Sequence, residues 1–295
     1  MDQALQYCEA RVRELDKDRF LATLFAPERQ RGPLFALYAF DAEIAQVRDR
    51  ITSPLPGEVR LQWWRDVLTG AEPGDAAANP IAAGLLDTVY RFALPVPALL
   101  GLIDARSFDL YDEPMATLAA LESYAAATSG TIIRLAARVL SDGAEPGHAA
   151  ASGHAGMACS ITDLLLRLPQ HCARGQRYLP DEVLERHGAT AADLHGGRVT
   201  DELRAVLAEL YQLAGHHLAA LRSGDGIPLR LLPAFLPVSL APPVLARMAR
   251  AGADPFHPRI APQWRRQWTL WRAARNPARF IEIRRDDPGG TGDRQ

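Results

Sequence analysis

A chain of 295 residues with 48% hydrophobic content and a formal net charge of −2 can fill one large core or two modest ones, which excludes general disorder. So small a net charge gives no global attraction to nucleic acid or to an anionic membrane, so any such contact needs a local patch. Cys8, Cys159 and Cys172 are odd in number and include no CxxC pair, which argues against a disulfide framework or zinc knuckle and fits a reducing compartment.

The opening MDQALQYCEARVRELDKD is charged from its second residue and has no apolar stretch. It reads as the start of a helix rather than as a signal or transit peptide, so a cytoplasmic location is expected. Helical spacing then recurs along the chain and predicts helices over about 2–25, 28–51, 55–70, 77–93, 95–106, 114–140, 145–168, 180–187, 199–222, 228–251 and 258–276. Pro27 and Glu28 open the second helix, Pro54 and Pro56 mark the next break, and GAEPGD at 70–75 and SDGAEPG at 141–147 read as turns. No alternating β-branched run bounded by turn signals appears, so the fold class expected is all-α. No repeat or long linker divides the chain, which predicts one domain over 1–285 and a disordered tail, DDPGGTGDRQ, at 286–295.

IPLRLLPAFLPVSLAPPVLARM, starting at Ile227, approaches the length of a membrane span. Five prolines and Arg230 interrupt it, and lipid demands a continuous apolar helix, so a buried, broken helical segment is predicted instead.

Three stretches could carry chemistry. Within 28–51, Asp41, Ala45 and Asp49 fall at i, i+4 and i+8 on one helical face, which puts the two carboxylates about 12 Å apart by helix rise. Residues so far apart cannot ligate one small, hard cation together, and a solvated acidic face is the plainer reading. In HAGMACSITDLLLRLPQH, Asp163, Arg167 and His171 follow at four-residue steps until Pro169 disturbs the spacing, and a cation at 167 would repel a metal. Arg174 and Arg177 flank the next turn, where two guanidiniums could grip a phosphate or simply face solvent. Near the end, APQWRRQWTLWRAARNPARF sets Trp264, Trp268 and Trp271 on one face among Arg265, Arg266, Arg272 and Arg275. Those tryptophans either close the core or meet an anionic membrane surface; a nucleic-acid partner is not expected, since no reading motif is present.

LFAPERQRGPLFALYAFDAEI, SGTIIRLAARVL, GMACSITDLLLRLP and RYLPDEVLERHG together resemble the squalene and phytoene synthases over nearly the whole chain. The resemblance implies a single-domain, isoprenoid-synthase-type helical bundle around a central cavity, in which two aspartate-rich motifs bind Mg²⁺ and diphosphate while two prenyl diphosphates are joined head to head. Here the first motif falls on Ala45, Gln46 and Asp49, the arginine that usually precedes it corresponds to Ala42, and the second motif falls on Asp163, Arg167 and His171.

AFDAEIAQVRD, RLQWWRDVL, the LPQH and RYLP pair, IPLRLLPAFLPVSL and DPFHPRIAPQW are similar to the subgroup of phytoene-synthase-like assembly factors for complex I, in a bacterial form. The resemblance implies a catalytically degenerate protein that assists assembly of respiratory complex I, with that complex's subunits and the membrane surface as partners, peripheral on the inner membrane. No catalytic residue is assigned. Tyr38, Asp41, Asp49, Asp163, Arg167, His171, Arg174 and Arg177 are the candidate cavity positions for an isoprenoid or lipid, and Trp264, Trp268, Trp271, Arg265 and Arg266 the candidate membrane or partner contacts. No cofactor is expected. The alternative is a Mg²⁺-dependent head-to-head prenyltransferase, with Asp49 and Asp163 as metal ligands.

Overall fold

Asp16 decides how the chain begins. Its carboxylate accepts a hydrogen bond from Arg19 N at 2.9 Å and so caps a new helix, which splits the single helix expected over 2–25 into α1 (Asp2–Leu15) and α2 (Lys17–Thr23). The computed structural model describes residues 2–71, 76, 78–111 and 113–284. The tail at 286–295 and most of the GAEPGD turn lie outside the described residues.

Pro27 precedes α3 (Glu28–Ala45), the central helix, whose residues Pro33 to Asp41 are buried without interruption. A helix apolar on every side must be surrounded by others, and α3 packs against α1, α5 and α8. It stops at Ala45, well before the predicted end at 51, and a 3₁₀ turn over Arg48–Arg50 follows. Asp49 therefore leaves the face that carries Asp41 and Ala45, which corrects the expected i, i+4, i+8 stripe.

Pro54 opens α4 (Pro54–Thr69), and Gly70, at φ 77, closes it in the left-handed conformation that glycine adopts without penalty. Asn79 accepts from Ile81 N and Ala82 N to start α5 (Pro80–Arg91), and α6 (Val96–Ser107) follows. Trp64 of α4 packs edge-on against Phe40 of α3, ring centroids 4.9 Å apart.

The helix predicted over 114–140 is present as α7 (Leu118–Ala125) and α8 (Thr131–Leu140), with one π turn, Ala126–Gly130, between them. That turn lies against α9 (Ala149–Leu166) where Gly130 faces Gly156. After a break at Arg167 the chain continues as α10 (Leu168–Ala173), α11 (Asp181–His187), α12 (Ala191–His195) and the long α13 (Asp201–Ser223) that packs along α9. Threonine caps at 190 and 200 fix the last two starts.

The apolar stretch at Leu229–Met248 has a mean hydropathy of 1.5 and is long and apolar enough to cross a membrane. More than half of it is buried in the bundle, broken into 3₁₀ turns, α14 (Leu232–Phe235) and α15 (Ala241–Met248), as its prolines predict. The final helix, α16 (Gln263–Arg275), lies against this segment and α2. Among the described residues the strands are two dipeptides, Ile227–Pro228 and Ile283–Arg284, paired in parallel.

Candidate functional site

Helices α2, α3 and α6 bring three charged side chains together below the surface. Asp41, near the C-terminal end of α3 and 5% exposed, accepts from Arg19 Nη1 of α2 at 2.5 Å, while Arg106 Nη2 of α6 stands 3.8 Å from its other oxygen. Arg19 also lies over the Tyr38 ring at 5.2 Å.

A second carboxylate, Asp109, sits in the 3₁₀ turn just after α6. It accepts from Tyr124 Oη at 2.8 Å and from Tyr178 Oη at 2.6 Å, and pairs with Arg106 Nη1 at 3.3 Å. Arg106 in turn donates to Tyr124 Oη at 2.7 Å, and Gln176 donates to the Asp109 carbonyl at 3.0 Å. Burial pushes the Tyr38, Tyr124 and Tyr178 phenols well up, so they stay protonated donors. For Arg19 and Arg106 burial acts downward, but the facing carboxylates and phenols outweigh it and hold both guanidiniums charged.

Nearer the surface lies a second set. Arg174 donates to Asp49, and Arg167 Nε donates to Asp163 at 3.0 Å across one helical turn. His171, ring 4.5 Å from that of Tyr178, lies among these charges, and burial holds its imidazole down at about 4, hence neutral. Asp49, Asp163, Arg167, His171 and Arg174 thus share one rim, whereas Arg177 turns to Asp181 at 3.4 Å. Glu43, close by in sequence, is held by Arg60 at 2.6 Å and Arg50 at 3.3 Å, and Arg50 also binds Gln46 at 2.8 Å.

Of the predicted positions, Tyr38 and Asp41 belong to the inner network and Asp49, Asp163, Arg167, His171 and Arg174 to the rim. The network's other members, Arg19, Arg106, Asp109, Tyr124 and Tyr178, were not singled out by the sequence. The only local hint of them is the i, i+3 spacing of Arg106 and Asp109.

These residues do not suit a Mg²⁺–diphosphate centre. The ion needs oxygen ligands converging at short range, and here each candidate carboxylate is already bound by a guanidinium of the same chain. Among the described residues no three His, Cys, Asp or Glu side chains converge as a metal site. The cavity beside the rim, between Leu164, Leu168, His171, Cys172, Tyr178 and Leu194, has a volume of about 10 Å³, room for roughly one water.

Burial along α16 tests the first of its two readings, closure of the core. Leu270 and Ala273 are the residues of α16 buried against the bundle, while Trp264, Trp268 and Trp271 are 62%, 54% and 42% exposed. They do not close the core. Arg266 is withdrawn from the patch into an ion pair with Asp18 of α2.

Sequence comparison matches residues 12–272 to the squalene/phytoene synthases. The chain is 31% identical over 256 residues to "NADH dehydrogenase (ubiquinone) complex I, assembly factor 6" of Rattus norvegicus, covering 86% of this chain and 76% of that protein. It is 27% identical over 221 residues to the presqualene diphosphate synthase of Sinorhizobium fredii, covering 74% and 77% of the two chains. A crystal structure of a dehydrosqualene synthase superposes with a TM-score of 0.81 at 17% identity, over 94% of this chain and 97% of that one, which establishes a common all-α isoprenoid-synthase fold. The chain belongs to the squalene/phytoene synthase family.

Proposed function

We propose that this chain is a non-catalytic member of its family that assists the assembly of respiratory NADH dehydrogenase, complex I. The observation that carries the proposal is the pairing of every candidate carboxylate with an arginine: Asp41 with Arg19 and Arg106, Asp49 with Arg174, and Asp163 with Arg167. Family chemistry requires the departing pyrophosphate's charge to be stabilised as it develops. Carboxylates already paired with guanidiniums of the same chain would have to give up those partners or share them with a metal, and Ala45, Gln46 and Arg167 stand where the family's motifs place acids. The similarity to relatives named for complex I assembly supports the second half of the proposal.

The competing reading is a Mg²⁺-dependent prenyltransferase, favoured by the similarity to presqualene diphosphate synthase. It requires Asp49 and Asp163 to be released from Arg174 and Arg167.

Two assays separate them. The purified protein with farnesyl or geranylgeranyl diphosphate and Mg²⁺ is expected to release no pyrophosphate; Mg²⁺-dependent release abolished by Asp163→Asn would restore the enzyme. Deleting the gene is expected to lower the amount of intact complex I on native gels and NADH:quinone activity in isolated membranes. Unchanged levels of both would end the assembly proposal.

A further inference from the structure

Between Asp254 and Glu282 the chain carries six arginines, at 259, 265, 266, 272, 275 and 279, and no acidic residue. Arg266 is neutralised by Asp18; among the described residues the other five are exposed and have no carboxylate partner. On α16 the tryptophans at i, i+4 and i+7 form a stripe about 10 Å long on the side away from the buried Leu270 and Ala273. Ile260, 65% exposed, precedes the helix.

We infer that α16 lies flat on an anionic lipid bilayer, with its three indoles at headgroup level and its unpaired arginines on lipid phosphates. Indoles flanked by guanidiniums suit that boundary, where an apolar body and a polar N–H are both satisfied. A second copy of this chain is a poor occupant, because two such faces would set unpaired arginines against each other. Single-stranded nucleic acid also needs aromatic and basic groups, but it stacks bases on free rings. Here the rings are taken: Trp268 stacks on Trp271 at 4.8 Å, Arg265 covers Trp264 and Arg275 covers Trp271, each at 5.0 Å. The assignment stands on this surface alone and does not depend on the assembly role proposed above.

Flotation of the full chain with vesicles tests it. The wild type is expected to float with phosphatidylcholine vesicles containing about 30% phosphatidylglycerol, to bind pure phosphatidylcholine at least tenfold more weakly, and to be released by rising salt. Each arginine at an anionic surface is worth about fivefold, so Arg265→Glu, Arg272→Glu and Arg275→Glu together should weaken binding by at least about a hundredfold. Trp264→Ala, Trp268→Ala and Trp271→Ala together should lose about tenfold or more while circular dichroism stays unchanged, since all six side chains are exposed. A wild type that ignores anionic vesicles, variants that float like wild type, or equal binding to neutral and anionic vesicles would each overturn the assignment. So would a wild type that ignores vesicles but binds single-stranded oligonucleotide, or one that ignores vesicles while the variants deplete complex I in cells. The last result would mark the face as a protein contact.

Discussion

Replacing Asp41 with Ala tests whether the inner ion network holds α2 and α6 to α3. Asp41 is 5% exposed, and its partners Arg19 and Arg106 are 22% and 18% exposed, so the charges interact with limited screening. At an effective dielectric near 20, unit charges about 4 Å apart attract by about 4 kcal/mol, and removing one member of a buried pair costs about 3–5 kcal/mol because the other is left uncompensated. Each arginine keeps one further anion, however: Arg19 has Asp16 at 3.6 Å and Arg106 has Asp109 at 3.3 Å. The expected loss is therefore at the low end, about 3 kcal/mol. At about 2 °C per kcal/mol for a chain of this size, that is a fall of about 6 °C in Tm.

The double variant Arg19→Met with Asp41→Leu removes both charges and fills the same space. It should sit within about 1–2 kcal/mol of the wild type, because the desolvation cost disappears with the attraction. Thermal unfolding of the wild type, both single variants and the double variant, followed by circular dichroism, closes the cycle. A loss below about 1 kcal/mol for Asp41→Ala, or a double variant that loses the sum of its singles, would refute the view that this pair anchors α2 to α3.

Three further outcomes are expected. A Cβ at Gly156 would meet the backbone of Gly130, N and Cα, the latter at 2.5 Å, so Gly156→Ala should force α9 off the π turn and cost about 3 kcal/mol or more in chemical unfolding; a neutral result would mean that the two helices are free to separate. Mg²⁺ at about 5 mM with pyrophosphate should shift Tm by less than about 1 °C, whereas a true site filled to a hundred times its Kd would add about 2.7 kcal/mol. His171 is held at about 4 against an ordinary 6.5, so below pH 6.5 the unfolded chain takes up a proton that the folded chain refuses. Its contribution is complete above 6.5 and is lost as pH falls toward 4, by about 2 kcal/mol once partial exposure is allowed for; His171→Asn should flatten that part of the stability-against-pH curve, and an unchanged slope would place the acid sensitivity elsewhere.

Helices were legible wherever local chemistry decides them: the Pro-opened α3 and α4 and the Pro-broken segment from Leu229 fall close to their expected starts. The short α10 and α12 were not expected, and two of the missed boundaries lie inside a continuous periodicity. Asp16 spends its carboxylate on a cap within a run that reads as one helix, and α3 ends at Ala45 although helical spacing continues to 51. At the site, the altered positions Ala45, Gln46 and Arg167 were visible because each stands inside a recognisable pattern. Their replacement was visible only at Tyr38 and Asp41, since Arg19, Arg106, Tyr124 and Tyr178 come from separate parts of the chain and no spacing links them. For α16 the sequence shows Trp and Leu on one helix and cannot say which face the bundle takes; only the burial of Leu270 and Ala273 settles it.

The three sets of pairs differ in depth, and that difference bears on whether a single change could free the carboxylates for a metal. Asp163 and Arg167 are 59% and 52% exposed, and such a pair stabilises a protein by at most about 1 kcal/mol, so Arg167→Asp is tolerable for the fold. It would still leave Asp49 on Arg174 and Asp41 between Arg19 and Arg106, with Ala45 and Gln46 unchanged. A metal-bound diphosphate brings its countercharge and takes it away again, so an enzyme's carboxylates must tolerate standing uncompensated between turnovers. Here the countercharge is covalently part of the chain and, at Asp41, inseparable from the packing of α2, α3 and α6. The inner network therefore finds its charge balance within the chain, as the non-catalytic function proposed above would require.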